Sequence, residues 1–266
     1  MAKSQPQLAV LAAVFGAEPR AAFQSARAAG FAAVQLDWRS EHLDVTTLSS
    51  TGRREVRTIL RSQNLELTGL RIDLGGKGLG AGADVDAVLS RLDSVLQAAV
   101  GLGIPLVCVD VGPLPSAANK NPDPNVDRAL SDLGGLADRY SVAVAFRSDL
   151  AAFDALDRAL RAADCAWFGV DLDPVALLRD DWPMDEIFSR LGPMIRHVRG
   201  RDAIVGADRR TKPAVIRRGS VQWDQLLRRL TEADYHGWIT VDSLELPDPA
   251  AAAIAGAASL RTLVAS

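Results

Sequence analysis

The sequence predicts an α/β protein, a single (β/α)8 TIM barrel over 1–266, and three observations point there. The chain has 266 residues, close to the roughly 250 of one such barrel. Short apolar runs alternate with amphipathic segments from end to end, which implies parallel strands joined by helical crossovers. Eight such units fit, at about 33 residues each, and no linker divides them. The competing architecture is an open doubly wound sheet, but no glycine-rich phosphate loop follows the first apolar run.

Strands are expected at 8–15, 33–37, 65–73, 105–111, 142–147, 167–173, 194–199 and 238–242. Helices are expected at 19–29, 49–62, 85–102, 126–140, 152–162, 183–191, 223–233 and 249–264. The first strand is the apolar stretch 8–15. A signal-peptide core is the other reading of that stretch, but Glu18 and Arg20 follow at once and no small-residue cleavage pattern stands out. The third helix shows its buried face in Val85, Val88, Leu89, Leu92, Val95 and Leu96, at the 3, 4 spacing of a helical stripe. Gly30, Gly101, Gly103 and Gly192 fall where helices should stop. The run 75–82 is rich in glycine but lacks a P-loop ending, so it reads as a flexible loop after the third strand.

Composition narrows the function. Hydrophobic residues make up 48% and charged residues 24%, a globular balance that argues against disorder. A net charge of −3 gives no electrostatic case for nucleic acid or an anionic membrane. No apolar run approaches the roughly 20 residues of a membrane span. Cys108 and Cys165 have no metal-type spacing and sit in apolar runs as free thiols. A cytoplasmic location fits these features.

In this fold the active site lies at the C-terminal ends of the strands, and residues two apart on a strand share a face. Phe146, Val170, Leu172, Val198 and Val241 suit the helix-facing side. That leaves Arg147, Asp171, Asp173, His197, Arg199 and Asp242 pointing inward. Arg147 and Asp173 are 26 residues apart and Arg199 follows at the same step, so one height on neighbouring strands is expected. Buried charges are costly unless paired. Arg147 and Arg199 are therefore expected to form ion pairs with Asp173 and Asp242. Asp37, Asp73, Asp110 and Arg71 end other strands and stand as second-rank candidates, as do Trp38 and Trp182 in top-face loops.

Five segments carry a resemblance: Val-Ala-Phe-Arg-Ser at 144–148, Gly-Val-Asp-Leu-Asp-Pro at 169–174, Ile-Arg-His-Val-Arg-Gly-Arg-Asp-Ala at 195–203, Arg-Gly-Ser-Val-Gln-Trp at 218–223 and Trp-Ile-Thr-Val-Asp at 238–242. They are similar to landmarks of the xylose isomerase-like barrel family, which includes sugar and sugar-phosphate isomerases, ketose epimerases, inosose dehydratase and endonuclease IV. The resemblance is good over 140–245 and weak in the first third. It implies a divalent ion held by Glu on strand five, Asp on strand six, His on strand seven and Glu on strand eight. Those places fall here on Arg147, Asp173, Arg199 and Asp242. Arg201 and Asp202 match the basic–acidic pair after the strand-seven ligand and fix the register.

An arginine has five donors and no acceptor, and it stays protonated. Two of them cannot replace Glu and His as ligands, so no metal and no other cofactor is expected. The ligand-binding set is then Arg147, Asp171, Asp173, His197, Arg199, Asp202 and Asp242, with Asp173, Asp242 and His197 as candidate acid or base. The partner expected is a small polar or anionic, sugar-like molecule, with no nucleic acid and no membrane. Three functions stay open: a non-catalytic or regulatory binder, a metal-independent enzyme acting on a sugar acid or sugar phosphate, and a metal-dependent sugar isomerase or epimerase. Free guanidinium forks would favour an anion site, and paired ones a closed rim.

Overall fold

The computed structural model describes residues 6–75, 77–79, 82–112, 114, 124–147 and 153–264. Eight parallel strands close a barrel: β1 (Gln7–Leu11), β2 (Ala33–Asp37), β3 (Glu66–Asp73), β4 (Leu106–Asp110), β5 (Ala143–Arg147), β6 (Phe168–Leu172), β7 (Ile195–Gly200) and β10 (Trp238–Val241). Each hydrogen-bonds to its neighbours in chain order, and β10 closes on β1 with Leu8 opposite Ile239. Closure leaves no unpaired sheet edge. Eight longer helices follow the strands: α1 (Pro19–Ala28), α2 (Ser50–Ser62), α3 (Val85–Leu102), α4 (Pro124–Tyr140), α5 (Phe153–Ala163), α7 (Met184–Leu191), α8 (Trp223–Glu232) and α9 (Pro249–Val264). Among the described residues, none of these helices is long and apolar enough to cross a membrane.

The main core lies between the outer barrel face and the helices. Phe146 meets Phe168 there, with ring centroids 4.7 Å apart. Phe23, Phe31 and Trp223 are sealed against the same layer. The helix-facing assignment of Phe146, Val170, Leu172, Val198 and Val241 agrees with their near-complete burial.

Four local features depart from the sequence reading. The first strand stops at Leu11, and Ala12–Phe15 turns as a 3-10 helix that Gly16 ends at a φ of 118°. An apolar run does not by itself separate strand from tight helix, so the expected strand extends past Leu11 into the 3-10 turn. A short helix, α6 (Pro174–Arg179), precedes α7. Its signature is local: the Asp173 carboxylate accepts the Val175 N–H, and Pro174 fills the first helical position. The long loop after β7 folds into an antiparallel hairpin of β8 (Asp202–Val205) and β9 (Thr211–Ala214).

The glycine-rich run after β3 is also better anchored than expected. Leu79 is fully buried and its N–H donates to Val111 O at 2.9 Å. Gly76, Gly80 and Ala81 lie outside the described residues. Gly78 has a φ of 49°, and a Cβ there would sit 1.8 Å from Val111 O. Only glycine allows the β3 and β4 loops to touch at this point. Gly78→Ala should cost about 2 kcal/mol or more, from strain and forced backbone displacement; a urea midpoint equal to that of the parent chain would contradict this packing.

Candidate functional site

The strand ends converge on one mouth, and polar side chains fill it in two tiers. The lower tier is buried. Asp171 and His197 are register partners on β6 and β7, so both project inward. His197 Nδ1 lies 2.6 Å from Asp171 Oδ1. An ionised carboxylate only accepts, so Nδ1 carries the proton. His197 Nε2 then accepts from the Thr240 hydroxyl at 2.7 Å, with the Gln35 amide nitrogen 3.5 Å away. Gln35 also donates to Cys108 Sγ at 3.3 Å. Gln35 is the register partner of Gly69, where β3 passes close to β4 and a Cβ would stand 3.1 Å from Leu106 O.

Asp171 Oδ2 takes Arg199, whose Nε donates at 2.7 Å. Arg199 Nη2 is 2.6 Å from the same oxygen, yet it makes no hydrogen bond. One aligned bond and the opposite charges hold this pair. Burial alone raises the Asp171 carboxyl, but Arg199 and His197 together outweigh it and hold the carboxyl far below the usual range. Burial likewise disfavours the Arg199 charge, and Asp171 overcomes it, so the guanidinium is held still more firmly protonated. Burial pushes the Cys108 thiol well up.

The upper tier consists of bridging arginines. Arg71 binds Asp37, its register partner on β2, at 2.7 Å and reaches Asp242 beyond β10 at 2.8 Å. Arg147 binds Asp110, its register partner on β4, and reaches Asp173 at 3.1 Å. Arg201 joins Asp173 at 2.9 Å and Glu245 at 2.8 Å. Burial raises the Asp173 carboxyl, and Arg201, Arg147 and Arg199 more than reverse this. These groups surround a cavity of about 360 Å³, whose lining also includes Trp38, Asp73 and the edge of Arg199.

A family model described as a xylose isomerase-like TIM barrel matches residues 23–263. The chain belongs to the xylose isomerase-like TIM barrel family. A xylose isomerase domain protein from Planctomyces limnophilus superimposes with a TM-score of 0.79 at 17% identity, over 99% of each chain. A xylose isomerase-like TIM barrel protein from Mycobacterium smegmatis, solved in complex with magnesium, gives 0.73 at 16%, over 98% of this chain and 97% of that one. D-psicose 3-epimerase, solved in the presence of D-fructose, gives 0.74 at 12%, over 98% and 100%. At these identities the likeness is one of fold. No curated protein matches the sequence.

Within this xylose isomerase-like barrel, the ion pairs differ from those expected. Arg147 does meet Asp173, but it also meets Asp110. Arg199 pairs with Asp171, not with Asp173 or Asp242, and Asp242 pairs with Arg71. Strand register alone does not set these pairs. Phe146 lies opposite Val170, which sets Arg147 level with Asp171, and Leu172 lies opposite Val198, which sets Arg199 level with Asp173, so both arginines pair diagonally through the reach of their long side chains. A constant spacing in sequence therefore does not mean a constant height.

Of the seven expected site residues, Arg147, Arg199 and Asp242 line the cavity, while Asp171, Asp173 and His197 form its support. Asp202 lies elsewhere. Its carboxylate accepts backbone N–H groups of Ala203, Val221, Arg217 and Gly219 at 2.8, 3.1, 2.8 and 3.3 Å. It organises the hairpin loop, and it has no place in the cavity lining, contrary to the expectation that it binds ligand. Trp182 packs edge-on against Phe153 at 5.8 Å and does not line this cavity. Gln35, Thr240 and Glu245 went unrecognised in the sequence. Gln35 and Thr240 had a signal, because each sits two residues before an inward aspartate in an otherwise apolar strand.

Asp171, His197 and Thr240 resemble an acid–base–hydroxyl relay in their order. All three are buried, and neither His197 nor Thr240 lines the cavity, so the hydroxyl lies sealed beneath the mouth. Among the described residues, Cys108, Asp171 and His197 are the one group of three potential metal ligands that converges. The donor set does not suit a dication: Asp171 already carries Arg199, both His197 nitrogens are bonded, and the thiol holds its proton.

Two outcomes test this arrangement. The unfolded Asp171 carboxyl takes up its proton near pH 3.9, while the folded one stays ionised. The unfolded state thus binds more protons below that pH, and the stabilisation, complete above about pH 5, is lost as pH falls below about 4. Asp171→Asn should cost about 3–5 kcal/mol at pH 7 by stranding Arg199, and should flatten the acid limb of a stability–pH profile; an unchanged limb would assign that acid sensitivity to other groups. Asp202→Ala should cost about 3 kcal/mol by orphaning backbone donors, read from urea unfolding, and a loss under 1 kcal/mol (roughly the worth of one ordinary hydrogen bond) would mean water replaces the carboxylate.

Proposed function

We propose that this barrel binds a small, hydroxyl-rich, sugar-like molecule at its mouth and does so without the divalent ion implied by the family resemblance. It acts as a binding or regulatory protein rather than as a metal-dependent isomerase. One observation carries this reading. Of the four positions that correspond to ion ligands, two are guanidinium groups, and the two carboxylates left, Asp173 and Asp242, already accept from arginines. Unit charges about 4 Å apart interact by roughly 4 kcal/mol near a protein surface, and here the sign opposes a dication. The arginines substitute for the ion as the positive partner of the carboxylates.

The mouth offers what a polyol needs. It presents donors and acceptors close together in a cavity of about 360 Å³, within the usual range for small-molecule sites. Catalysis is less well supplied. Asp173 is a weak base, since Arg147, Arg201 and the Val175 N–H engage both of its oxygens. His197 has both ring nitrogens committed. A second reading, a metal-independent enzyme acting on a sugar acid or sugar phosphate, draws support from Arg199 alone, whose Nη1 and Nη2 donate no hydrogen bond among the described residues.

Metal analysis of protein purified without chelator should find no stoichiometric manganese, magnesium, cobalt or zinc. One equivalent of metal that disappears in Asp173→Ala would sink the reading. The double change Arg147→Glu with Arg199→His should allow a divalent ion to bind, as seen by calorimetric titration.

A further inference from the structure

We infer that the preferred ligand of this mouth is a hydroxyl-rich organic cation, of the amino-sugar or amino-polyol class, and neither an anion nor a metal ion. This rests on the ligand-binding reading above and names the class of ligand. The first observation is the balance of fixed charge. Asp37 and Asp242 share one guanidinium, that of Arg71. Asp110, Asp173 and Glu245 share two, those of Arg147 and Arg201. Arg199 is spent on Asp171. Asp73 lines the cavity and accepts only the Gly75 N–H, so its other carboxylate oxygen has no partner among the described residues. Arg39 also lines the cavity but pairs with Asp44 outside the lining; with that pair and His197 set aside, the described carboxylates of the mouth, Asp173 behind the lining included, exceed its guanidinium groups, and a cavity with walls of low dielectric concentrates that negative field.

The excess is spread out. Among the described residues, no three carboxylate oxygens of the rim converge closely enough to hold an ion, and the one convergent ligand group lies beneath it, blocked by Arg199. A compact dication needs several oxygens at one point. An ammonium on a sugar-sized molecule needs only one or two acceptors, and its hydroxyl groups can use the rest.

The second observation is independent of charge balance. Arg199 is nine-tenths buried and forms part of the cavity wall; its Nε and Nη2 are held against Asp171, and its Nη1 donates no hydrogen bond among the described residues. That donor wants an oxygen from the ligand, such as a hydroxyl or a ring oxygen. The ligand then brings acceptors to the floor at Arg199 and positive charge to the rim at Asp73.

Isothermal titration with D-glucosamine, D-glucose and D-glucuronate tests this, since the three differ mainly in one substituent. Glucosamine should bind about tenfold tighter than glucose, and glucuronate weakest. Raising the salt should weaken glucosamine more than glucose. Asp73→Asn keeps the acceptor for Gly75 and removes the charge, so it should weaken glucosamine by more than it weakens glucose; Glu245→Gln should act in the same direction. Glucuronate binding as tightly as glucosamine, or all three binding equally, overturns the charge inference and leaves the sugar-binding reading standing. Binding by none of the three overturns both.

Discussion

The site depends on one buried carboxylate. Asp171 stands inside the barrel with its side chain sealed from solvent, and an unpaired charge there would be prohibitive. His197 and Arg199 each take one of its oxygens. That arrangement fixes the histidine tautomer, commits the Thr240 hydroxyl and pulls the Arg199 guanidinium down from the rim. The upper tier is then completed by arginines from other strands. Asp173 turns to Arg147 and Arg201, and Asp242 turns to Arg71 across the ends of β1 and β2.

A barrel interior is a packed core, not a pore, so its polar residues must satisfy one another. The chain solves this with shared carboxylates and small residues at chosen points. Gly69 accepts the close approach of β4, where a Cβ would lie 3.1 Å from Leu106 O, and Gly200 accepts that of β10, where a Cβ would lie 3.0 Å from Val241 Cα. Asp173 has two tasks, as the N-terminal cap of α6 and as the meeting point of two arginines. Side chains tied together this way are already ordered, and pre-ordering lowers the cost of any binding that uses them.

Membership of the xylose isomerase-like TIM barrel family sets the scaffold, while function lies in the site grafted on it. The structural relatives include an epimerase and a protein solved with magnesium. In this chain Arg147 ends β5 and Arg199 lies on β7, and each pairs with a carboxylate of the barrel mouth. Arginine brings a fixed, planar charge that forms bidentate and bridging contacts, so it can tie a ring of carboxylates together without a metal. Asp37, Asp110, Asp173, Asp242 and Glu245 each accept from such an arginine.

Periodicity alone determined the architecture. Every expected barrel strand and long helix appears, because alternation of apolar and amphipathic segments leaves few ways to bury both faces of a parallel sheet. The inward set Arg147, Asp171, Asp173, His197, Arg199 and Asp242 was also legible, since side chains alternate along a strand. Pairing was not. The diagonal reach of Arg147 and Arg199 and the reach of Arg71 across the mouth decided which acid meets which base, and such reach depends on how the closed barrel sets its strand ends against one another. Asp202 shows the same limit: its place in a motif was readable, but only the folded hairpin brings the four backbone N–H groups that claim its carboxylate.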